Sequence, residues 1–268
     1  MKISIITPCF NSSKFISQTI ESVVSQKGDF ELEYFIIDGG STDGTVEIVK
    51  KYSEKHPIIL ISEPDSGMYD ALAKGLKLVS GDVVGYINSD DFYFPGALSV
   101  ISDIFEDIRI KWTTGLKVRI NEKGQIFYVN LVSRYNKRMI LQGFHGPFLK
   151  YIQQECTFFR KEMLCNIDLS ELKRFKYAGD FYIWKKFAEN EELTVVEALI
   201  GGFRFRGGQL SGNKKEYYKE FNEIRNRRSM AGYLLAVFIM GFEFVFSPDI
   251  KRKVVSSLKK YLFEGGWK

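Results

Sequence analysis

Cysteine, histidine and long apolar runs are all scarce in this chain, and each scarcity closes off a class of protein. The three cysteines, Cys9, Cys156 and Cys165, form neither a C-x-x-C pair nor an even framework. A disulfide-stapled scaffold is thereby excluded, and a reducing compartment is expected. Two scattered histidines, His56 and His145, are too few for a histidine-based metal centre. Neither G-x-G-x-x-G nor G-x-x-x-x-G-K-[ST] occurs, which argues against a dinucleotide site and against a P-loop. Met1-Lys2 leads straight into Ile3-Ser4-Ile5-Ile6, only a strand's length of apolar residues before Pro8. No signal peptide is read there, so the chain is expected to remain in the cytoplasm.

What is present is enough apolar residue for a sizeable core. At 268 residues and 45% hydrophobic composition, the chain suits one large α/β domain, or one domain with an appendage. Ile3–Thr7 reads as a buried strand, followed by Phe15, Ile16, Ile20, Val23 and Val24 at helical spacing within Lys14–Gln26. Tyr34–Ile37 is a second strand, leading through Asp38–Gly44 into a helix with Val46, Val49 and Tyr52 on one side. Ile58–Ile61 is a third strand, Leu72, Leu76 and Val79 mark a third helix, and Asp82–Ile87 is the fourth strand. This alternation implies an α/β, doubly wound and mainly parallel sheet. Ligands of such sheets bind beyond the carboxyl ends of the strands. The polar clusters Pro8–Asn11, Asp38–Gly44, Glu63–Asp70 and Asn88–Asp91 all fall on that edge, and together they describe one pocket. Helix capping or a simple turn explains any one loop, but not all four.

The sharpest chemical feature is Asn88-Ser89-Asp90-Asp91, which ends the apolar run Val83, Val84, Tyr86, Ile87. Two adjacent carboxylates at the edge of a buried strand are costly unless something positive neutralises them. A divalent cation carrying a diphosphate would do so, and hard oxygen ligands suit Mg²⁺ or Mn²⁺.

Three motifs, Ile5-Ile6-Thr7-Pro8-Cys9-Phe10-Asn11, Ile37-Asp38-Gly39-Gly40-Ser41-Thr42-Asp43-Gly44-Thr45 and Asn88-Ser89-Asp90-Asp91, resemble in order and spacing the family 2 glycosyltransferases of the GT-A fold. The similarity covers roughly residues 1–210. The resemblance implies an inverting transferase that uses a nucleotide-sugar, UDP-linked as first choice, and a divalent cation, Mn²⁺ or Mg²⁺. It implies that Pro8 and Phe10 flank the base with Asn11 next to them, and that the Asp38 loop, with Gly40, reaches the nucleoside. It further implies that Asn88, Ser89 and Asp90 lie on the donor, that Asp90 contacts the ribose or the metal shell, and that Asp91 ligates the metal. Many relatives carry an acidic residue where this chain has Gly39. Ser66–Gly75 also resembles a family signature, placing Asp70 and Lys74 near a helix amino terminus, where anions are favoured. The competing roles are a favourable helix charge for Asp70 and a solvated lysine for Lys74.

In the second half, Tyr177-Ala178-Gly179-Asp180-Phe181-Tyr182-Ile183-Trp184 sets one carboxylate at the start of an aromatic helix. The resemblance implies that Asp180 is the general base, with an N-cap as the plain alternative. Relatives often have an acidic residue where Gly179 stands. Glu155, within Gln153–Arg160, and Trp184 are expected on the acceptor side, although Glu155 as a partner for Arg160 is an equal reading. Arg204 and Arg206 among Gly201, Gly202, Gly207 and Gly208 suggest a basic loop that closes over a diphosphate.

Basicity belongs to the end of the chain. The net charge is +5, yet residues 225–268 hold nine Lys or Arg against three acidic residues, leaving the rest near neutral. Met230–Phe246 carries a single charge, Glu243, between Arg225, Arg227, Arg228 and Lys251, Arg252, Lys253. It falls short of the ~20 apolar residues of a spanning helix, so an amphipathic helix lying in the interface of an anionic membrane is the better reading. Packing on the catalytic domain, or on a second copy in a homo-oligomer, is the alternative. Nucleic acid is not expected.

The chain thus reads as a GT-A-like domain over 1–224, with a nucleotide-binding half at about 1–110 and an acceptor half at about 111–224, followed by a helical tail over 225–268. The expected function is sugar transfer from a nucleotide-sugar to a hydroxyl of a glycan acceptor, lipid-linked, in cell-surface polysaccharide synthesis on the inner face of the membrane. A noncatalytic nucleotide-sugar or glycan-binding protein of the same fold is the alternative.

Overall fold

Four βα repeats open the chain, and residues buried on both sides make their strands pair in parallel. The computed structural model describes residues 1–130 and 134–245. Its strands are β1 (Lys2–Cys9), β2 (Glu31–Asp38), β3 (Ile58–Ser62), β4 (Val83–Tyr86), β5 (Phe92–Tyr93), β6 (Trp112–Thr114), β7 (Lys117–Ile120), β8 (Ile126–Asn130), β9 (Thr157–Arg160), β10 (Thr194–Val195) and β11 (Gly201–Arg204). Its helices are α1 (Ile16–Val24), α2 (Thr45–Ser53), α3 (Met68–Leu76), α4 (Ala97–Ile104), α5 (Lys137–Leu141), α6 (Leu169–Leu172), α7 (Gly179–Ala188), α8 (Lys214–Ile224) and α9 (Met230–Val245). The four strands expected from the sequence are present. The first expected helix is shorter than Lys14–Gln26, and the third stops at Leu76, with Val79 buried just beyond it.

The main sheet runs β10-β6-β9-β4-β1-β2-β3. Strands β3, β2, β1 and β4 are parallel, whereas β9 is antiparallel to both β4 and β6. One core layer packs Ile6, Ile37, Leu72 and Leu76 against Phe181 and Trp184 of α7. The other packs Ile3, Ile5 and Ile36 against Ile20 and Val23 of α1 and Leu98 of α4. Burial from both sides explains the near-continuous apolar strands.

The connection reverses direction between β1 and β4: β2 and β3 lie on one side of β1 and β4 on the other. The loops after β1 and β4 therefore separate at a topological switch point, where an open α/β sheet leaves a crevice. A second sheet, β5-β11-β7-β8, stands beside this opening. Because β11 pairs with β5 at Gly201↔Tyr93 and Gly202↔Phe92, it delivers Arg204 next to the loop after β4.

Helix α9 docks on α5 and the loop after it through a narrow stripe, Gly232, Ala236 and Ile239. Tyr233 meets Phe144 and Phe148 edge-on, with ring centroids 5.1 and 5.8 Å apart. The rest of the expected tail, from 246 onward, lies outside the described residues. No helix among the described residues is long and apolar enough to cross a membrane. The three cysteines are free, Cys9 and Cys156 being buried.

Candidate functional site

The loop after β1 leaves Phe10 61% exposed at the crevice, while Asn11 adopts φ +47, the left-handed conformation that asparagine tolerates. Asn11 is fixed by two bonds to the loop after β2: its N–H donates to Ser41 Oγ (2.8 Å), and its Oδ1 accepts from Thr42 N–H (3.0 Å). Asp38 holds that second loop from inside. It is fully buried and accepts from the N–H groups of Gly40 and Ser41 (3.0 Å each), from Ser62 Oγ (2.7 Å) and from Ser41 Oγ. Burial pushes its carboxyl upward, but the Ser41 and Ser62 hydroxyls and the backbone donors outweigh it and hold Asp38 below the usual carboxylate range. Asp38 thus shapes from inside the loop expected to reach the nucleoside, and its own carboxylate is fully engaged by that loop and Ser62.

Asp70 and Lys74 are likewise engaged by protein. Asp70 accepts from Ser66 (3.1 Å) and pairs with Lys173 (3.0 Å), while Lys74 pairs with Glu63 (2.8 Å) and donates to Pro64 O (3.1 Å). Asp65 carries more information. Its carboxylate fills the space beside Gly39, where an added Cβ would lie 2.6 Å from Asp65 Oδ2. An acidic group is therefore present at that spot, but it comes from the loop after β3. Its signal in sequence is only that Glu63-Pro64-Asp65 lies within one of the four edge loops.

The Asn88–Asp91 loop is pinned from below by Thr19 of α1, whose hydroxyl meets Ser89 O (2.9 Å) and Asp91 O (2.7 Å). Ser89 Oγ bonds Ser12 Oγ (2.7 Å), and Asn88 Oδ1 accepts from Gln154 Nε2 (3.0 Å). The two adjacent aspartates then diverge. Asp90 is partly exposed and receives Arg206 Nε (2.7 Å) and Gln209 Nε2 (3.2 Å). Asp91 points inward, is 0% exposed, and accepts from Arg204 N–H (2.7 Å) and Asn88 Nδ2 (3.2 Å). Burial and the neighbouring Glu155 push Asp91 well above the carboxylate range; burial likewise pushes Glu155 up to about 7. Two such buried carboxyls cannot both ionise cheaply.

Arg204 organises this wall. It is fully buried, donating through Nε to Asp90 O (2.6 Å), through Nη1 to Asn121 O (3.2 Å) and Glu122 O (2.7 Å), and through Nη2 to Gln18 Oε1 (2.8 Å). Phe15 stacks 4.7 Å from the guanidinium. Of the basic pair expected in a closing loop, Arg204 is therefore structural, and Arg206 is the one that faces Asp90.

Across the opening, Asp180 sits in the first turn of α7, with Oδ1 accepting from Phe181 N–H (2.7 Å). The loop before it is braced by Glu220, which accepts from the N–H groups of Lys176, Tyr177 and Ala178 at 3.0, 2.8 and 2.8 Å. Gly179 is there for space: a Cβ would lie 2.6 Å from the Tyr69 ring. Asp180 remains partly exposed, yet its surroundings desolvate it and push its pKa to about 7. Tyr69, Tyr86 and Tyr217 all feel its charge. Trp184, expected on the acceptor side, is instead a core residue, 2% exposed and stacked with Trp112 (5.9 Å) and Tyr86 (6.3 Å). Four residues along α7 from Asp180, it lies one turn further along the same side of the helix, where Trp112 and Tyr86 of the sheet cover it. Arg160, considered as a partner for Glu155, binds instead the carbonyls of Phe105 (2.7 Å), Ile110 (2.9 Å) and Asp107 (3.1 Å).

Known proteins resemble this chain in family and in fold. Residues 4–166 match the family described as Glycosyl transferase family 2. Chondroitin synthase of Escherichia coli is 32% identical over 246 residues, covering 86% of this chain and 34% of that protein. Glycosyltransferase GlyA of Streptococcus pneumoniae is 27% identical over 219 residues, covering 78% of this chain and 31% of that protein. The chain thus spans about a third of these curated relatives, 34% and 31% of their lengths. The solved structure of S. aureus TarS 1–349 in complex with UDP-GlcNAc is similar with a TM-score of 0.65 at 19% identity, covering 97% of this chain and 76% of that one. The mannosyltransferase PcManGT from Pyrobaculum calidifontis in complex with GDP-Man and Mn²⁺ gives 0.59 at 14%, covering 97% and 76%. At these identities the likeness concerns the fold, a GT-A architecture.

Proposed function

The chain belongs to glycosyl transferase family 2, and from that premise we propose that it is an inverting transferase moving a sugar from a UDP-sugar to a hydroxyl of a glycan acceptor. One observation carries the reading: Asp90 stands at the switch point of the sheet, where a diphosphate would lie, and Asp180, poised near neutrality at the start of α7, is near enough that both carboxylates act on Glu155. Asp180 accepts the proton of the acceptor hydroxyl as that oxygen bonds to the anomeric carbon. The bond from the anomeric carbon to the diphosphate oxygen breaks on the opposite face, so configuration inverts. A base with pKa about 7 is half ionised at neutral pH, which suits this role.

On the donor side, Pro8, Phe10 and Asn11 flank the base, and Asp65, filling the space beside Gly39, accepts a hydrogen bond from its edge. Arg206 exchanges Asp90 for the arriving diphosphate, holding its charge through a guanidinium fork. The donor set suits a divalent cation. No group of three His, Cys, Asp or Glu among the described residues would hold a metal alone, but Mg²⁺ and Mn²⁺ sites commonly combine one or two carboxylates with substrate phosphates. Asp91, expected from the resemblance to ligate the metal, is fully buried, so Asp90, the partly exposed carboxylate, would supply the direct oxygen ligand and Asp91, behind it, would orient the loop. When bound, the cation neutralises charge on the departing diphosphate.

The acceptor is read as a lipid-linked glycan because α9 offers a surface to lipid. Met230, Leu234, Val237 and Phe238 are 76, 68, 62 and 69% exposed, and Arg225 and Arg227 precede them. Apolar side chains beside cations suit an anionic interface. The protein on this reading works at the inner face of the membrane.

Calorimetric titration with UDP-, GDP- and dTDP-sugars, with and without Mn²⁺, tests the donor assignment. The expected result is metal-strengthened binding of a UDP-sugar that Asp90→Asn loses. Binding of none of the sugars would refute it.

A further inference from the structure

One cluster of charge in the acceptor half has no part in the mechanism above. Lys117 and Arg119 project from the same face of β7, while Val118 and Ile120 fill the core behind. Lys117 is only 5% exposed. Its ammonium lies 3.2 Å from the centroid of the Tyr151 ring and makes no hydrogen bond or ion pair among the described residues. Arg119 donates through Nη2 to Tyr151 Oη (3.4 Å) and lies 5.3 Å from the Tyr128 ring, with Nε buried and unpartnered. A buried ammonium whose direct contact is an aromatic face keeps part of its desolvation cost, since a cation–π contact returns about 2 kcal/mol or somewhat more against several for burying the charge.

The position of the cluster is fixed by the backbone. Gln153 Nε2 donates to Val118 O (3.0 Å) and Cys156 Sγ to Leu116 O (3.1 Å), so the turn carrying Glu155 lies against β7 on either side of Lys117. Tyr151 is held by Tyr135 Oη on its carbonyl (2.9 Å), and its hydroxyl acts electrostatically on Tyr217, itself a neighbour of Asp180. The cations therefore stand beside the Glu155 turn, and Tyr151 links them through Tyr217 to the side of the opening that holds Asp180. Burial, then Arg119 and Lys150, pushes the Lys117 ammonium down to about 7. An arriving anion would restore its charge.

We propose that Lys117 and Arg119, together with the Tyr151 hydroxyl, form a subsite for an oxyanion on the acceptor glycan, a carboxylate or a phosphate. The proposal rests on the transferase reading for the word acceptor, but its test does not need turnover. The full chain is titrated with three trisaccharides alike except for the terminal group, which is neutral, glucuronate or phosphate, using wild type, Lys117→Met, Lys117→Arg and Arg119→Gln. One anionic probe is expected to bind wild type roughly tenfold or more tighter than the neutral probe, the weight of one charge-assisted hydrogen bond. The probe that does so identifies the source of the anion. Lys117→Met and Arg119→Gln should each erase the preference, and Lys117→Arg should keep it. At pH 8, binding to wild type should take up a proton, visible as a dependence of the heat on the buffer's ionisation enthalpy, and Lys117→Met should show none. Equal affinity for the three probes, absence of binding included, or a preference that survives in both Lys117→Met and Arg119→Gln, overturns the proposal. Failure to transfer sugar from any donor would count against the transferase reading and leave the binding result standing.

Discussion

Replacing Arg204 by methionine keeps most of the buried stem and removes a guanidinium that the fold encloses completely. Four hydrogen bonds disappear, to Asp90 O, Asn121 O, Glu122 O and Gln18 Oε1. Glu122 and Gln18 are exposed and recover water; Asp90 O and Asn121 O recover less. At about 1 kcal/mol for each net bond, and less where water returns, the bonds account for about 2–3 kcal/mol. A further contribution comes from Asp91 and Asp90, which lose a buried positive neighbour, so the total is about 3–4 kcal/mol. Urea unfolding followed by circular dichroism and by tryptophan fluorescence measures it. The midpoint should fall with little change in slope, and the thermal midpoint should drop by roughly 6–12 °C. Because Asp90 is bonded to Arg204 through its own carbonyl, UDP-sugar affinity should weaken as well. A loss below about 1 kcal/mol with donor affinity intact would refute the view that Arg204 holds the Asp90–Asp91 loop.

Three further outcomes follow from the geometry. With Asp180 at about 7 and acting as a base only when ionised, kcat/KM should rise about tenfold per pH unit below 7 and level off above about pH 8; a flat profile from pH 5.5 to 8.5 would contradict it. Gly201→Ala should cost about 1–3 kcal/mol in chemical denaturation, because the new methyl collides with the backbone of Glu155; an unchanged midpoint would show that the Glu155 turn is not held there. Exchanging Leu234, Val237 and Phe238 together for serine should weaken cosedimentation with anionic vesicles at least about tenfold, given the apolar area removed, whereas equal binding would place the lipid contact elsewhere.

The first half of the fold was legible because its physics is local. Strands buried on both faces read as unbroken apolar runs, and helices one turn apart in periodicity separate them, so β1 to β4 and α1 to α3 can be placed from residues alone. Their polar loops then had to share an edge. The second half was less legible because its pairings are distant in sequence: β9 enters antiparallel between β4 and β6, and β11 joins β5 across more than a hundred residues. Side-chain direction was the other blind spot. Asp90 and Asp91 are chemically identical neighbours, yet one faces the opening and the other Arg204 N–H and Glu155. Trp184 follows the candidate base by a single helical turn, and no residue type distinguishes an aromatic that greets a sugar from one that stacks on Trp112. Asp65 stayed hidden because the space it fills is defined by Gly39, 26 positions earlier in the chain.

The central claim is that Asp180 takes the acceptor proton while Asp90 serves the donor. The direct test is single-turnover sugar transfer by Asp180→Asn, run beside a calorimetric titration of the same variant with the donor. Transfer is expected to fall by about 10²–10⁴-fold, the range for loss of a positioned base, with donor affinity within about twofold of wild type. Transfer at the wild-type rate, or donor binding lost along with it, would contradict the assignment.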